Sequence, residues 1–325
     1  MKTAVVGLGS MGGNHARLMK ELSDLRYVVD TNVGRAKTIG RHYGVEHLTD
    51  YRALFKKDID AVSLVVPTNL HYRIGKDLLE HDIGILVEKP ITYDVDEGKD
   101  LVSIADKKDL VLCVGHIERY NPIVRFAKEA ITRGEFGKVI SLNSRRVSSY
   151  PSRVTDVGVI MDLAIHDLDV QKYLAESDVA SVMCLAGATH GSNFESHANI
   201  LLEFSNGIIG HIETNWLTPL KIRTLNLTCS EKFATIDYVN QTCAISSSKI
   251  IEFDVLDSFL FPQEVSERMV YLKKEEPLKR EIADFLEAVE HKRAPLVDGH
   301  DGIDALRIAL AAIESFKKRT RINLE

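Results

Sequence analysis

The octapeptide Val5-Val6-Gly7-Leu8-Gly9-Ser10-Met11-Gly12 constrains the fold of this chain more than any other stretch. A short apolar run, Thr3 to Val6, feeds a G-x-G-x-x-G, and Ala16, Leu18, Met19 and Leu22 follow at helical spacing. Strand, glycine turn and helix are the opening of a βαβ unit. In that setting the first glycine permits a tight turn, the second lets backbone approach a pyrophosphate, and the third lets helix pack on strand. The helix N-terminus offers free N–H groups and a partial positive charge to an anion. The next strand pattern, Tyr27-Val28-Val29-Asp30, ends in an acid at the spacing expected for a carboxylate on an adenosine ribose. Gly7, Gly9, Ser10, Met11, Gly12 and Asp30 are thus the expected dinucleotide contacts. Asp30 would accept from a ribose 2′-OH and repel a 2′-phosphate, so NAD is expected over NADP. Arg35 is the nearby feature that weighs the other way. The alternative is an α/β domain whose glycine turn binds nothing.

The alternation continues. Helical patterns at Val33 to Tyr43, Tyr72 to Leu79 and Val95 to Lys107 separate apolar runs at Ala61 to Val66, Gly84 to Val87 and Leu110 to Val114. Continuous apolar runs between helices read as buried parallel strands, so the fold class is α/β, a doubly wound parallel sheet. The rhythm changes near Asn121. Helical patterns at Pro122 to Arg133 and Asp162 to Leu174 flank a strand-like run at Val139 to Val147. A strand-rich block then runs from Val179 to about Phe253, with Asn206-Gly207 as a hairpin turn. Two amphipathic helices close the chain, Leu278 to Glu290 and Gly302 to Lys318. The predicted division is residues 1–119 for a dinucleotide-binding domain and 120–325 for an α+β domain with a mostly antiparallel sheet.

Composition excludes some functions. The 325 residues carry a net charge of −6, which argues against nucleic acid as the partner. Cys113, Cys184, Cys229 and Cys243 show no C-x-x-C spacing and read as buried hydrophobes, and no metal site is expected. No apolar run is long enough for a bilayer span, and the apolar start breaks into glycines too early for a leader, so a reducing cytoplasm is expected.

In an open parallel sheet, ligands bind beyond the carboxyl ends of the strands. Those ends carry Asp30, then Pro67-Thr68-Asn69-Leu70-His71, then Glu88-Lys89-Pro90, then His116 and Arg119. Lys89 stands between a glutamate and a proline, which limits its direction; a surface lysine paired with Glu88 is the plainer reading. In Asp162-Leu163-Ala164-Ile165-His166-Asp167-Leu168-Asp169, a helix would place Asp162, His166 and Asp169 on one stripe. A carboxylate one turn from an imidazole fixes its tautomer and raises its basicity. The other reading is the solvent face of an amphipathic helix. Arg145, Arg146 and Arg153 are either phosphate ligands or surface arginines. His190, His197 and His211 read as structural.

Taken together and in order, Gly7 to Gly12, Pro67-Thr68-Asn69-Leu70-His71, Glu88-Lys89-Pro90, His116 to Pro122 and the Asp162/His166 pair resemble the Gfo/Idh/MocA oxidoreductase family along essentially the whole chain. The resemblance implies an N-terminal Rossmann domain and a C-terminal domain with an open, largely antiparallel sheet. It further implies oxidation or reduction of sugars, cyclitols and related carbonyls with a nicotinamide cofactor. Assembly would be as a homo-dimer or homo-tetramer through the open sheet. Lys89 would be the motif lysine, completed by Asp162 and His166 as the catalytic set. Thr68, Asn69, His71, Glu88 and Lys89 would line the cofactor site. Lys89, Arg119, Arg153, Asp162 and His166 would meet substrate. The stretch from Arg153 to Asp167 looks most like members acting at C3 of UDP-N-acetylglucosamine, with inositol and free sugars as the alternatives.

A histidine starts near pKa 6.5 and a lysine near 10.4, so His166 needs less adjustment to serve as base. Asp162 would orient it, and charged Lys89 would steady a developing alkoxide. A non-catalytic NAD-binding sensor, the rival reading, would keep the glycine loop without needing Lys89, Asp162 and His166 together.

Overall fold

The computed structural model describes residues 1–150, 157–189, 194–250 and 263–324, which form two compact units. The first comprises residues 1–120 and 275–307, the second residues 121–274 and 308–325.

In the first unit, β1 (Lys2–Val6), β2 (Asp24–Val29), β3 (Glu46–Leu48), β4 (Ala61–Leu64), β5 (Gly84–Glu88) and β6 (Leu112–Gly115) make a six-stranded sheet in the order β3-β2-β1-β4-β5-β6. Every pairing is parallel. The crossovers include α1 (Ser10–Leu22), α2 (Val33–Tyr43), α3 (His71–Glu80) and α4 (Val95–Lys107). The order reverses between β1 and β4, the switch point where such sheets open a ligand crevice. Local chemistry sets the ends. Asn32 caps α2 by accepting the Arg35 N–H, and Gly44 closes it in the left-handed region at φ 65°. Asp94 caps α4 through two N–H groups.

The prediction placed everything after residue 119 in the second domain. Residues 275–307 instead pack within the first unit. The helix Pro277–His291 buries Leu278, Ile282, Phe285 and Leu286 in the core that holds Leu18, Met19 and Leu25. Burial of four such side chains is worth about 1.5–3 kcal/mol each, ample reason for the chain to return to this unit.

The second unit opens with α5 (Pro122–Thr132), capped by Asn121 with Pro122 at its first turn. Its sheet contains β7 (Val139–Ser149), β8 (Val179–Gly187), β9 (His197–Phe204), β10 (Ile209–Asn215), β11 (Leu217–Cys229), β12 (Phe233–Asp237), β13 (Thr242–Ile250), β14 (Gln263–Tyr271) and β15 (Ile322–Asn323). The order is β14-β13-β12-β11-β7-β10-β9-β8-β15; only β10 and β7 run parallel. Strand β9 alternates buried and accessible residues, the pattern of a sheet with one covered face. The other face shows Ile140, Leu185, Leu201 and Ile209 to solvent, each at least half exposed.

Between β7 and β8 lies α6 (Ile165–Ala175), entered through a π-helical turn, Ile160–Ala164. The solvent-face reading of this segment does not hold. Leu168, Val170 and Leu174 are buried, and so are Asp167, Asp169 and Gln171. Polar side chains survive there because they are bonded: the Gln171 amide donates to Ser144 Oγ at 2.8 Å and to the His211 carbonyl at 2.9 Å.

Candidate active site

Beyond β1, Gly7 takes φ +91°, and a Cβ on it would run into the Val65 carbonyl. A Cβ on Gly12 would strike the Gly7 carbonyl. Around Gly9 there is open space instead. The loop therefore needs its outer glycines to close on the sheet and its middle one to leave its outer side clear. Helix α1 starts there without a side-chain cap or a first-turn acid, so its leading N–H groups are free for an anion. Ser10 is exposed and Met11 half-buried at this end. Asp30 closes the other side. Its Oδ2 accepts the Leu8 N–H at 2.9 Å, its Oδ1 accepts the Asn32 N–H at 2.8 Å, and Arg35 lies 3.3 Å away. Gly7, Gly9, Asp30, Val66, Pro67 and Arg73 are among the residues around a cavity of about 560 Å³ at this switch point.

After β4, Thr68 and Asn69 sit on a 3₁₀ turn, Asn69 exposed. His71 is only 1% exposed, and its ring nitrogens lie 2.9 Å from the Pro90 and Val66 carbonyls. Burial pushes its pKa below the ordinary value, though the two carbonyls pull the other way. The ring thus braces the turn after β4 against the turn after β5.

At that second turn, Glu88 holds its neighbours. Its Oε1 lies 3.1 Å from His15 Nε2, and its Oε2 accepts the Lys89 N–H at 3.2 Å. Burial alone would raise the Glu88 pKa; the His15 hydrogen bond, with the charges of His15, Lys89 and His71, outweighs it and lowers the value. Lys89 itself is half-buried. Arg119 is 4% exposed and pairs with Asp301 at 2.9 Å. His116 is buried next to it.

In the second unit, Asp162 lies inside the π turn and is 7% exposed, and His166 follows in the first turn of α6, half-buried. The turn is real: the Ile165 N–H reaches back five residues to the Ile160 carbonyl. Single π turns recur at functional sites. Two buried acids fix this stretch. Asp167 accepts from Arg146 Nε at 2.6 Å, with both side chains about 1% exposed. Glu195 accepts the Ile160 N–H at 3.2 Å, and its carboxylate occupies the place a Cβ on Gly158 would need. Arg146 is therefore a buried structural cation, and Arg145 pairs with Glu213 at 3.0 Å. Arg153 and His190 lie outside the described residues. His211 bridges Asn143 and Asn199, and His197 packs on Gly187. All four cysteines are free and buried.

A profile described as oxidoreductase family, NAD-binding Rossmann fold, matches residues 1–116, and the profile of the same family's C-terminal domain matches residues 124–234. The chain belongs to the Gfo/Idh/MocA oxidoreductase family. UDP-N-acetylglucosamine 3-dehydrogenase of Acidithiobacillus ferrooxidans is 29% identical over 322 residues, covering 98% of this chain and 99% of that protein. The scyllo-inositol 2-dehydrogenase (NAD(+)) of Bacillus subtilis is 26% identical over 343 residues, covering 100% and 96%. The solved Acidithiobacillus enzyme superposes with a TM-score of 0.87 at 28% identity, covering 98% of each chain. Levoglucosan dehydrogenase in complex with NADH gives 0.87 at 18% identity, a likeness of fold. As a Gfo/Idh/MocA oxidoreductase this chain is an NAD-dependent dehydrogenase acting on CH–OH groups. The residues fit that cofactor: the glycine loop leaves clear space at Gly9, the helix end is uncapped, and Asp30 is held beside both. No described helix is long and apolar enough to cross a membrane.

His15, Glu195 and Glu281 escaped the sequence reading. His15 falls within a helical apolar pattern that gave no sign of its link to Glu88.

Proposed function

We propose that this enzyme oxidises a secondary alcohol of a nucleotide-linked sugar, C3 of UDP-N-acetylglucosamine, with NAD as acceptor. What carries the reading is similarity to the Acidithiobacillus enzyme that runs through both units, over 98% of this chain, and not through the glycine loop alone. Gly7, Gly9, Ser10, Met11, Gly12 and Asp30 hold the dinucleotide, with Thr68, Asn69, His71, Glu88 and Lys89 shaping the nicotinamide end. NAD⁺, when bound, supplies the hydride acceptor. His166 takes the hydroxyl proton, Asp162 keeps its ring in one tautomer, and Lys89 offers positive charge to the developing alkoxide. A base of this kind contributes roughly 10²–10⁴-fold. Asp162 suits the part because it is buried in a turn pinned by Glu195. Lys89, Asp162 and His166 are the substrate contacts, and Arg153 is a fourth on the resemblance alone.

The second reading is inositol oxidation, favoured by the full-length likeness to the Bacillus enzyme. We further infer that a second copy covers the open sheet face, where Leu185, Leu201 and Ile209 stand exposed. Light scattering of the purified chain reads that state directly. For substrate, NADH formation is followed with UDP-N-acetylglucosamine, its glucuronic acid counterpart, myo-inositol and scyllo-inositol. In a second arm an external keto acceptor is added so that cofactor carried through purification can turn over, and there the oxidised sugar is measured directly, because the acceptor returns NADH to NAD⁺. The expected result is the highest kcat/KM on UDP-N-acetylglucosamine; a higher value on either inositol overturns the substrate assignment.

A further inference from the structure

Behind the Glu88-Lys89 turn lies a cluster that hydride transfer does not use. His15 comes from α1, Glu88 from the end of β5, and Glu281 from the helix Pro277–His291. One ligating atom from each lies within 4.8 Å of the others. His15 is fully buried, with Nδ1 2.7 Å from Ser63 Oγ and Nε2 3.1 Å from Glu88 Oε1. Glu281 is also fully buried, and among the described residues neither of its carboxyl oxygens has a hydrogen-bond partner. An ionised carboxylate is not kept in that state inside a protein; it takes up a proton. The groups acting on it are Glu88, with His15 beside it, and Asp284 one turn along its own helix. Cys113 of β6 and Tyr120 lie close enough that a charge on Glu281 would raise the pKa of both, and Tyr120 donates to Asp284 at 2.8 Å.

We propose that Glu281 is a positioning residue, a neutral carboxylic acid whose proton keeps a second negative charge from forming beside Glu88, so that Glu88 stays turned to His15 and the Lys89 amide. The inference rests on the reading that Lys89 works at the reacting hydroxyl. The charge balance supports it. Burial, then the Glu88 and Asp284 charges, push Glu281 far above the usual carboxyl range, while His15 holds Glu88 below it. Two carboxyls whose surroundings drive them apart divide into an acid and a base. Loss of the Glu281 proton would set two like charges inside one small volume and loosen the turn that carries Lys89.

The test uses the full chain. Infrared spectra near neutral pH should show a protonated-carboxyl stretch in the native enzyme that is absent from Glu281→Gln. Glu281→Leu, which cannot ionise, should retain NADH affinity and carry the alkaline limb of kcat to higher pH. Glu281→Gln, also neutral and closer to the native shape, should show the same shift. The proposal is overturned if the carboxyl band is missing, or if the pH profiles of both variants coincide with that of the native enzyme. It is equally overturned if metal analysis finds a stoichiometric divalent ion on this cluster. A Lys89→Met enzyme with native turnover would instead sink the reading of Lys89, while the infrared band would still report the proton.

Discussion

Replacement of Asp30 by Asn separates the two jobs this side chain does. Its two oxygens now accept two backbone N–H groups, Leu8 at 2.9 Å and Asn32 at 2.8 Å, and Arg35 lies 3.3 Å off. Asn keeps the size and one acceptor, so the loop loses a single backbone bond and the site loses its charge. A hydrogen bond to a charged group is worth about 1.5–3 kcal/mol, so NADH should bind about 10- to 100-fold more weakly. NADPH should respond in the opposite direction. A carboxylate facing a 2′-phosphate at about 4 Å costs about 1 kcal/mol in water and about 4 kcal/mol near a protein surface. The cavity is open, so the lower end applies, and Arg35 released from Asp30 would add to the gain. Fluorescence titration with both cofactors measures the ratio, and the melting temperature reports any damage to the loop. Equal losses for NADH and NADPH would refute the reasoning, because Asp30 would then only shape the glycine turn.

Three further outcomes follow from the site. His166→Ala should lower kcat about 10²- to 10⁴-fold while NADH affinity holds, as stopped-flow turnover and titration would show; a parallel loss in both would reject His166 as base. Asp167→Asn removes the charge that faces buried Arg146 and should cost about 3–5 kcal/mol in urea unfolding, whereas Arg146→Met combined with Asp167→Leu should recover most of it. Glu281 is an acid whose folded pKa lies well above its unfolded value near 4.5, so the folded chain holds the extra proton between those two values. Its stability contribution is therefore intact at low pH and declines as pH rises through that window. Native enzyme should lose about 1.4 kcal/mol per pH unit relative to Glu281→Gln there, read from denaturant midpoints at successive pH values.

The first unit could be read from its residues because its signals are local. A glycine that must avoid the Val65 carbonyl, an Asn cap at position 32 and a glycine stop at 44 each act within a few residues of themselves. Helix α2 accordingly begins and ends where its pattern predicts. What the pattern did not carry was tertiary. The strands Glu46–Leu48 and Gln263–Tyr271 went unread, the first because three residues hold no period. The helix Pro277–His291 has a sound apolar stripe, but a stripe does not name the surface it will cover. The Asp162 segment looked amphipathic because acids usually mark solvent, and here Arg146 pairs with one of them in the interior.

The same contrast explains how the candidate site divides. Phosphate recognition rests on backbone N–H groups and a helix end, so the residues that permit it are consecutive and conspicuous. Proton chemistry rests on side chains whose behaviour is set by neighbours far away in the chain. Glu88 is a motif residue, yet its charge depends on His15 in the first helix and on Glu281 near the last. Asp162 is a motif residue too, and the turn that holds it is pinned by Glu195. Substitutions at Gly7 or Gly12 should therefore abolish binding outright, since the backbone carbonyls of Val65 and Gly7 cannot relax to make room for a Cβ. Substitutions at His15, Glu195 or Glu281 should leave NADH bound and shift the pH at which the enzyme turns over. A dehydrogenase built this way can retain one cofactor cradle across many relatives while the groups behind its acid and base residues set the pH of its chemistry.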